Sequence, residues 1–221
     1  MTPTYNIQLI SAEIEIIFNF VNEIIKFENY DSEDDYKKLN RAYYKIFCSH
    51  FESLAILIEH NHFSSAILLM RTMLEIFVKS FYLAFIEKEK EKEKEKENRV
   101  SALDFIEAKK EFPSFFDMCK NLENHKSKTN DNFNGTFKQF TKSGLASYEK
   151  FSLFSHGKGE FLKAFYLNNK VTYTSQQIGE VLLTAKGLFE TLSLLLFVVQ
   201  EDTVNLGILL KKLNDTISNE H

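Results

Sequence analysis

The stretch Ala66-Ile-Leu-Leu-Met-Arg-Thr-Met-Leu-Glu-Ile-Phe-Val-Lys-Ser-Phe-Tyr-Leu-Ala-Phe85 decides the fold. Drawn as a helix, it is apolar on nearly every side, and such a helix has to be covered by other parts of the protein. Its three charged residues, Arg71, Glu75 and Lys79, follow one another every four residues. This spacing places them on one strip of the helix. The stretch therefore predicts a central helix that carries a single ladder of charge.

The cation at the start of this ladder is rare in the chain. Of 27 basic residues, only Arg41, Arg71 and Arg99 are Arg. Arginine can hold a carboxylate with two parallel N–H groups, a geometry that lysine does not reproduce. Two interpretations of Arg71 with Glu75 therefore stand side by side. The pair is either a structural ion pair that fixes helix register or a functional pair that acts on a ligand.

Composition places the chain in the globular class. Its 221 residues include 22 Phe and are 44% hydrophobic, with only seven Gly and two Pro. This is enough for one large domain, and too few turn residues for a β-sandwich or barrel. The net charge of -4 gives no general attraction to nucleic acid, so RNA binding would need a local basic patch. We expect one all-α domain over residues 1–221.

Apolar residues at helical spacing predict a bundle of six to eight helices. The long helices are expected over about 5–29, 32–60, 63–86 and 175–199, and the shorter ones over 101–110, 113–124, 145–156 and 202–217, with a further short helical segment over 137–142. We expect Ser64 or Ser65 to cap the central helix, and Ser175 to cap the helix that it begins. Residues 157–174 are expected to form the one irregular connection, either a loop or a short hairpin over Asn168-Asn169.

Glu87 to Glu97 is a strict alternation of Glu and Lys. In a helix this period places like charges at i+4 and opposite charges at i+3, so attraction and repulsion roughly cancel. We expect a solvated tract that extends the central helix without packing against anything.

Several classes of protein are not indicated. Cys48 and Cys119 have no metal or redox spacing, and the N-terminus has no basic-then-apolar signal. Lys186 and Glu190 interrupt the apolar stretch Val181 to Val199, which leaves too short a run to span a membrane. We therefore expect a cytoplasmic protein with no membrane partner, no metal site and no cofactor.

A second candidate site lies between Tyr148 and Gly159. His156 falls at a predicted helix end, where an imidazolium ion caps the helix dipole. The alternative is a general acid or base, since a histidine pKa lies near neutrality. Ser152 is one turn before His156 and Tyr148 a further turn back.

Three segments resemble a known family when taken in order: Leu68-Leu-Met-Arg71-Thr-Met-Leu-Glu75, Phe112-Pro-Ser-Phe-Phe-Asp-Met118, and Tyr148 through Ser155-His156-Gly157. Together they look like a bacterial helical family labelled as a domain of unknown function. That family is similar to the HEPN group of helical nucleases and nucleotide-binding proteins. The resemblance extends from about Phe63 to Val199.

The HEPN resemblance implies a role for these residues. HEPN ribonucleases cut RNA without a metal, with an Arg and a His a few residues apart, usually across a homodimer. Here the position that matches the Arg is Lys150, with five residues between it and His156. Arg71 from the neighbouring helix is the alternative source of a guanidinium group.

The leading hypothesis is thus a HEPN-like toxin or defence module, homodimeric and directed at RNA or a nucleotide. If it is an enzyme, it is a metal-independent ribonuclease with His156, Arg71 and Glu75 as catalytic residues. Lys150, Tyr148, Ser152 and Lys158 would bind the substrate. The alternative is a non-catalytic helical protein that binds a second copy or a protein partner. A third possibility is recognition of a small anionic ligand by Arg71, His156 and Lys158.

Overall fold

The computed structural model describes residues 6–30, 33–89, 102–126, 133, 135–141, 160–168 and 171–219. Within these ranges the chain forms eight α-helices and no strand, which confirms the predicted all-α bundle. The helices are α1 (Ile7–Ile24), α2 (Asp35–Glu59), α3 (Phe63–Tyr82), α4 (Ala102–Ile106), α5 (Phe115–Asn124), α6 (Glu160–Asn168), α7 (Ser175–Gln200) and α8 (Thr203–Asn219). A π-helical turn, Leu83–Glu87, continues α3, and 3-10 turns lie at Phe27–Asn29 and Lys138–Thr141.

Helix α7 lies at the centre of the packing, in contact with α1, α2, α3 and α8. Its Phe189 ring stacks on Phe51 of α2, with centroids 4.9 Å apart, and contacts Phe18 of α1 at 5.2 Å. A buried hydrogen bond of 3.0 Å joins the hydroxyl groups of Tyr44 and Ser193. Aromatic packing and this buried hydrogen bond together fix α2 against α7.

A single carboxylate organises the chain after α5. The side chain of Glu123 accepts hydrogen bonds from the backbone N–H groups of Gly135 at 2.9 Å, of Lys138 at 3.1 Å, and of Phe137 between them. Phe137 is thereby inserted against Phe81 of α3, with ring centroids 5.3 Å apart. The predicted helix over 137–142 is the 3-10 turn Lys138–Thr141.

Two predicted helix caps are wrong. The cap of α7 is Thr174, whose Oγ1 accepts from the Gln177 N–H at 3.2 Å while the Gln177 side chain accepts from the Thr174 N–H at 2.9 Å. This reciprocal capping box satisfies two backbone donors, which Ser175 does not do from inside the helix. Helix α3 begins at Phe63, and the hydroxyl of Ser64 shares a hydrogen bond of 2.9 Å with Tyr173.

Some predicted boundaries also differ from the structure. Helix α1 ends at Ile24, because Ile25 is extended, and not at Asn29. Helix α4 ends at Ile106 and not at 110, since Ala108 has a positive φ of 54°. The predicted loop or hairpin over 157–174 contains helix α6, so residues 165–168 are helical and not a strand.

The expectation of a solvated Glu/Lys tract is wrong for its first residues. Glu87 is only 3% exposed and forms an ion pair with Lys110. Lys88 Nζ lies 2.8 Å from Asp34 Oδ2, and the carboxylate of Glu89 lies 3.7 Å from the His125 Nδ1. The tract is therefore joined to the bundle as far as Glu89, while residues 90–97 are outside the described ranges.

Helix α7 is long and apolar enough to cross a membrane by length and composition alone. More than half of that window, 56%, is buried inside the protein. The central helix of a bundle meets the same criteria, so the finding is weak evidence for a membrane span.

Both cysteines lie among apolar side chains. Burial raises the pKa of Cys48 to about 12, despite a hydrogen bond with Tyr44 that lowers it. Burial also raises the pKa of Cys119 to about 12, and the charge of Glu123 adds to the effect. Neither thiol is suited to act as a nucleophile near neutral pH, since the thiolate is the reactive form.

The capping box predicts an asymmetry between two adjacent hydroxyl residues. Thr174→Ala should lower the free energy of unfolding by about 1 kcal/mol, because it leaves the Gln177 N–H without its acceptor. The matched control Ser175→Ala should change it by less than about 0.5 kcal/mol. Urea titration followed by circular dichroism measures both. A larger loss for Ser175→Ala would contradict the assignment of the cap.

The cysteine environment predicts protection from alkylation. At pH 8 the folded protein should react with iodoacetamide far more slowly than a small thiol does, since a thiol of pKa about 12 is almost entirely protonated there. Mass spectrometry should show two added groups only after unfolding in guanidinium chloride. Rapid labelling of either cysteine in the folded protein would contradict the raised thiol pKa values.

Candidate functional site

The charged ladder of α3 lies at the edge of the core. The spacing correctly predicted that Arg71 and Glu75 meet: Arg71 Nε is 3.4 Å from Glu75 Oε1. Their side chains are 24% and 31% exposed, so the pair is half-buried. The guanidinium group is therefore held on a rigid helix while solvent still reaches it.

Lys79, the third member of the ladder, has a different environment. Its Nζ lies 5.4 Å from the centroid of the Phe112 ring, a cation–π contact. Within the described part of the chain, Lys79 forms no ion pair. The ladder is thus an ion pair followed by a lysine that faces an aromatic ring.

Glu75 and Lys79 open onto a cleft of about 430 Å³. Helix α3 forms one side, Tyr43 of α2 another, and the connection from α4 to α5 the third. The remaining lining residues are Phe105, Ala108, Lys110, Glu111, Phe112, Pro113, Phe115 and Met118. The cleft combines an aromatic and apolar surface with a few charged groups, as small-molecule sites do.

Three local features shape the wall of this cleft. Ala108 has a left-handed backbone conformation, which is unfavourable for a residue with a Cβ. The adjacent Lys110 is paired with the buried Glu87, and its Nζ also lies 4.8 Å from the Phe105 ring centroid. Glu87 itself ends the π-helical turn that follows α3. Turns of this type and strained residues are concentrated at functional sites.

The second candidate site cannot be placed. Tyr148, Lys150, Ser152, His156 and Lys158 all lie outside the described residues. The prediction that Arg71 and His156 share one polar pocket therefore stays a prediction. Among the residues that the structure describes, no group of three or more His, Cys, Asp or Glu side chains is arranged to hold a metal ion.

Sequence reasoning missed most of the cleft. Neither Tyr43 nor Lys110 has a sequence signal that places it in a site. Phe112 belonged to one of the segments that carried the family resemblance, but without a role. Glu87 begins the regular alternation of Glu and Lys, which predicts a solvated side chain and not a buried ion pair.

Comparisons with known proteins bear on the family and not on the activity. Neither the curated proteins nor the solved structures include one that matches this chain. One family model, described as a family of unknown function (DUF6988), matches residues 44–204. That range covers well over half of the chain and contains α3, the Arg71–Glu75 pair and every residue that lines the cleft except Tyr43. The chain belongs to the DUF6988 family, a family of unknown function.

Proposed function

We propose that this protein is a HEPN-like bacterial toxin or defence module that acts on RNA or on a nucleotide. The observation that supports the proposal best is the Arg71–Glu75 pair, which lies half-buried on a rigid helix where solvent still reaches it. A guanidinium group fixed in this way stabilises charge at a phosphate without the cost of ordering a mobile side chain.

In this proposal His156 is the general acid or base that moves the proton of a ribose hydroxyl. Arg71 stabilises negative charge at the adjacent phosphate, and Glu75 orients Arg71. Lys150, Tyr148, Ser152 and Lys158 contact the substrate. Two features of the structure support this interpretation: the helical architecture and the placement of Arg71. We propose that the module acts in the cytoplasm.

An alternative function is supported by a different observation. Helix α6 exposes Leu162 and Tyr166, one turn apart, at 58% and 84%. Exposed apolar side chains on one helix face favour contact with a second protein. On α3 and α7 most apolar side chains are buried inside the bundle, and the exposed ones are Leu68, Leu183 and Val198. The alternative is therefore a non-catalytic protein that forms a homodimer or binds a protein partner through α6.

A ribonuclease assay without metal tests the leading proposal. Purified protein in EDTA should cleave single-stranded RNA, and its expression in a bacterial host should arrest growth. His156→Ala and Arg71→Ala should each lower the cleavage rate by about 100-fold or more, as expected when an acid–base group or a charge-stabilising group is lost. Arg71→Lys should restore only part of the rate, because lysine lacks the planar fork.

His60→Ala is the matched control, since His60 is an exposed histidine at the end of α2. It should cleave RNA like the natural protein, and circular dichroism should confirm that all variants are folded. A folded His156→Ala protein with full activity would contradict the catalytic role. A natural protein without cleavage or growth arrest would favour the partner-binding alternative.

The leading hypothesis also expects a homodimer, so the alternative is tested by whether self-association depends on α6. Light scattering at tens of micromolar, roughly the range in which stable dimers persist, should give twice the 25.8 kDa mass of one chain. The double variant Leu162→Ser, Tyr166→Ser should raise the dissociation constant by roughly tenfold or more, because two apolar groups are lost from the contact. The control Ile16→Ser, Ile56→Ser changes two residues that are 59% and 56% exposed elsewhere. An equal effect of both double variants would exclude α6 as the interface.

A further inference from the structure

The charged side chains that line the cleft divide into two kinds. Glu75 and Lys110 are held in the ion pairs described above. Lys79 and Glu111 form no ion pair with each other or with any other residue in the described ranges. The cleft therefore offers a ligand one positive and one negative group, and its lining charges sum to zero.

The uncharged lining is suited to an apolar group. It consists of aromatic, thioether and proline side chains: Tyr43, Phe105, Phe112, Pro113, Phe115 and Met118. Phe115 and Met118 are almost fully buried, so they form the floor of the cleft. Burial raises the pKa of Tyr43, which keeps its hydroxyl protonated and able to donate a hydrogen bond.

Size and charge together narrow the class of ligand. A volume of about 430 Å³ lies in the range of small-molecule sites and admits a single small organic molecule. An anion with several charges would be matched by Lys79 but repelled by Glu111. A ligand with one charge of each sign is matched by both, provided that its remaining surface is apolar.

We propose that this cleft binds a free amino acid with an apolar side chain. The carboxylate of the ligand pairs with Lys79, its ammonium group pairs with Glu111, and its side chain packs against Phe115 and Met118. The ion pair of Lys110 with Glu87 holds the wall that presents Glu111. This inference goes beyond the proposed function, since it requires neither RNA nor His156.

Three ligands with the same phenyl group test the charge requirement. Saturation-transfer NMR on the full chain should detect binding of L-phenylalanine. The analogues 3-phenylpropionate, which lacks the ammonium group, and phenethylamine, which lacks the carboxylate, should each bind about tenfold more weakly, the effect of one charge-assisted hydrogen bond. Equal or tighter binding of 3-phenylpropionate would overturn the proposal in favour of an anion site. The absence of any signal from all three would also overturn it.

Two variants assign the charges to residues. Lys79→Met keeps an apolar chain beside Phe112 and should weaken phenylalanine and 3-phenylpropionate but not phenethylamine. Glu111→Gln should weaken phenylalanine and phenethylamine but not 3-phenylpropionate. Lys120→Met, on the exposed side of α5, removes the same charge outside the cleft and should change nothing. Unchanged phenylalanine binding by a folded Lys79→Met protein would place the ligand elsewhere and overturn the proposal.

Discussion

Burial of α3 is the constraint on which the rest of the structure depends. Buried side chains occupy most of its circumference, so α2, α5 and α7 have to cover it. Each fully buried large apolar side chain contributes roughly 1.5–3 kcal/mol, whereas an ion pair that solvent reaches contributes about 1 kcal/mol or less. Apolar packing therefore decides how α3 is rotated about its own axis. The charged ladder lies on the strip of α3 that is left at the edge of the core. The placement of Arg71 is a consequence of the packing around it and does not require the attraction between Arg71 and Glu75.

The long helices could be predicted from the sequence because burial repeats with the helical period. In α7, positions such as Ile178, Leu182, Phe189 and Leu196 recur on the faces that α1, α2 and α3 cover. Periodicity of this kind survives in the sequence whatever the exact packing angles are. The all-α class follows from the same residues.

The capping residue of α7 and the conformation of residues 165–168 were harder to predict. Thr174 and Ser175 are both good capping residues, and the choice depends on the Gln that follows Thr174 by three positions. Phe165 to Tyr173 has a strand-like composition, but residues up to 168 continue the helix that begins at Glu160. In the first case a local pair of hydrogen bonds with Gln177 decides between two residues of similar capping preference. In the second case a segment of strand-like composition is helical as far as residue 168.

The Arg71–Glu75 pair could be predicted from the sequence, whereas the cleft beside it could not. The meeting of Arg71 and Glu75 depends only on helix geometry, so the sequence was sufficient to predict it. The cleft depends on how the connection from α4 to α5 returns to α3. That path requires a left-handed alanine at 108 and an ion pair between residues 23 positions apart, Glu87 and Lys110. Neither requirement leaves a local signature in the sequence.

The π-helical turn Leu83–Glu87 has a consequence for how this protein tolerates changes in length. A π turn contains one residue more than an α turn, and one residue rotates the following side chains by about 100° around the axis. The turn thereby sets the direction in which Glu87 leaves α3, and Glu87, Lys88 and Glu89 each reach a partner in the bundle. The contacts of these three residues fix the rotation of the helix at the start of the alternating repeat. A change in the length of the chain before Glu87 would rotate these three side chains away from their partners, so the contacts of the wall with α3 depend on the length of this turn.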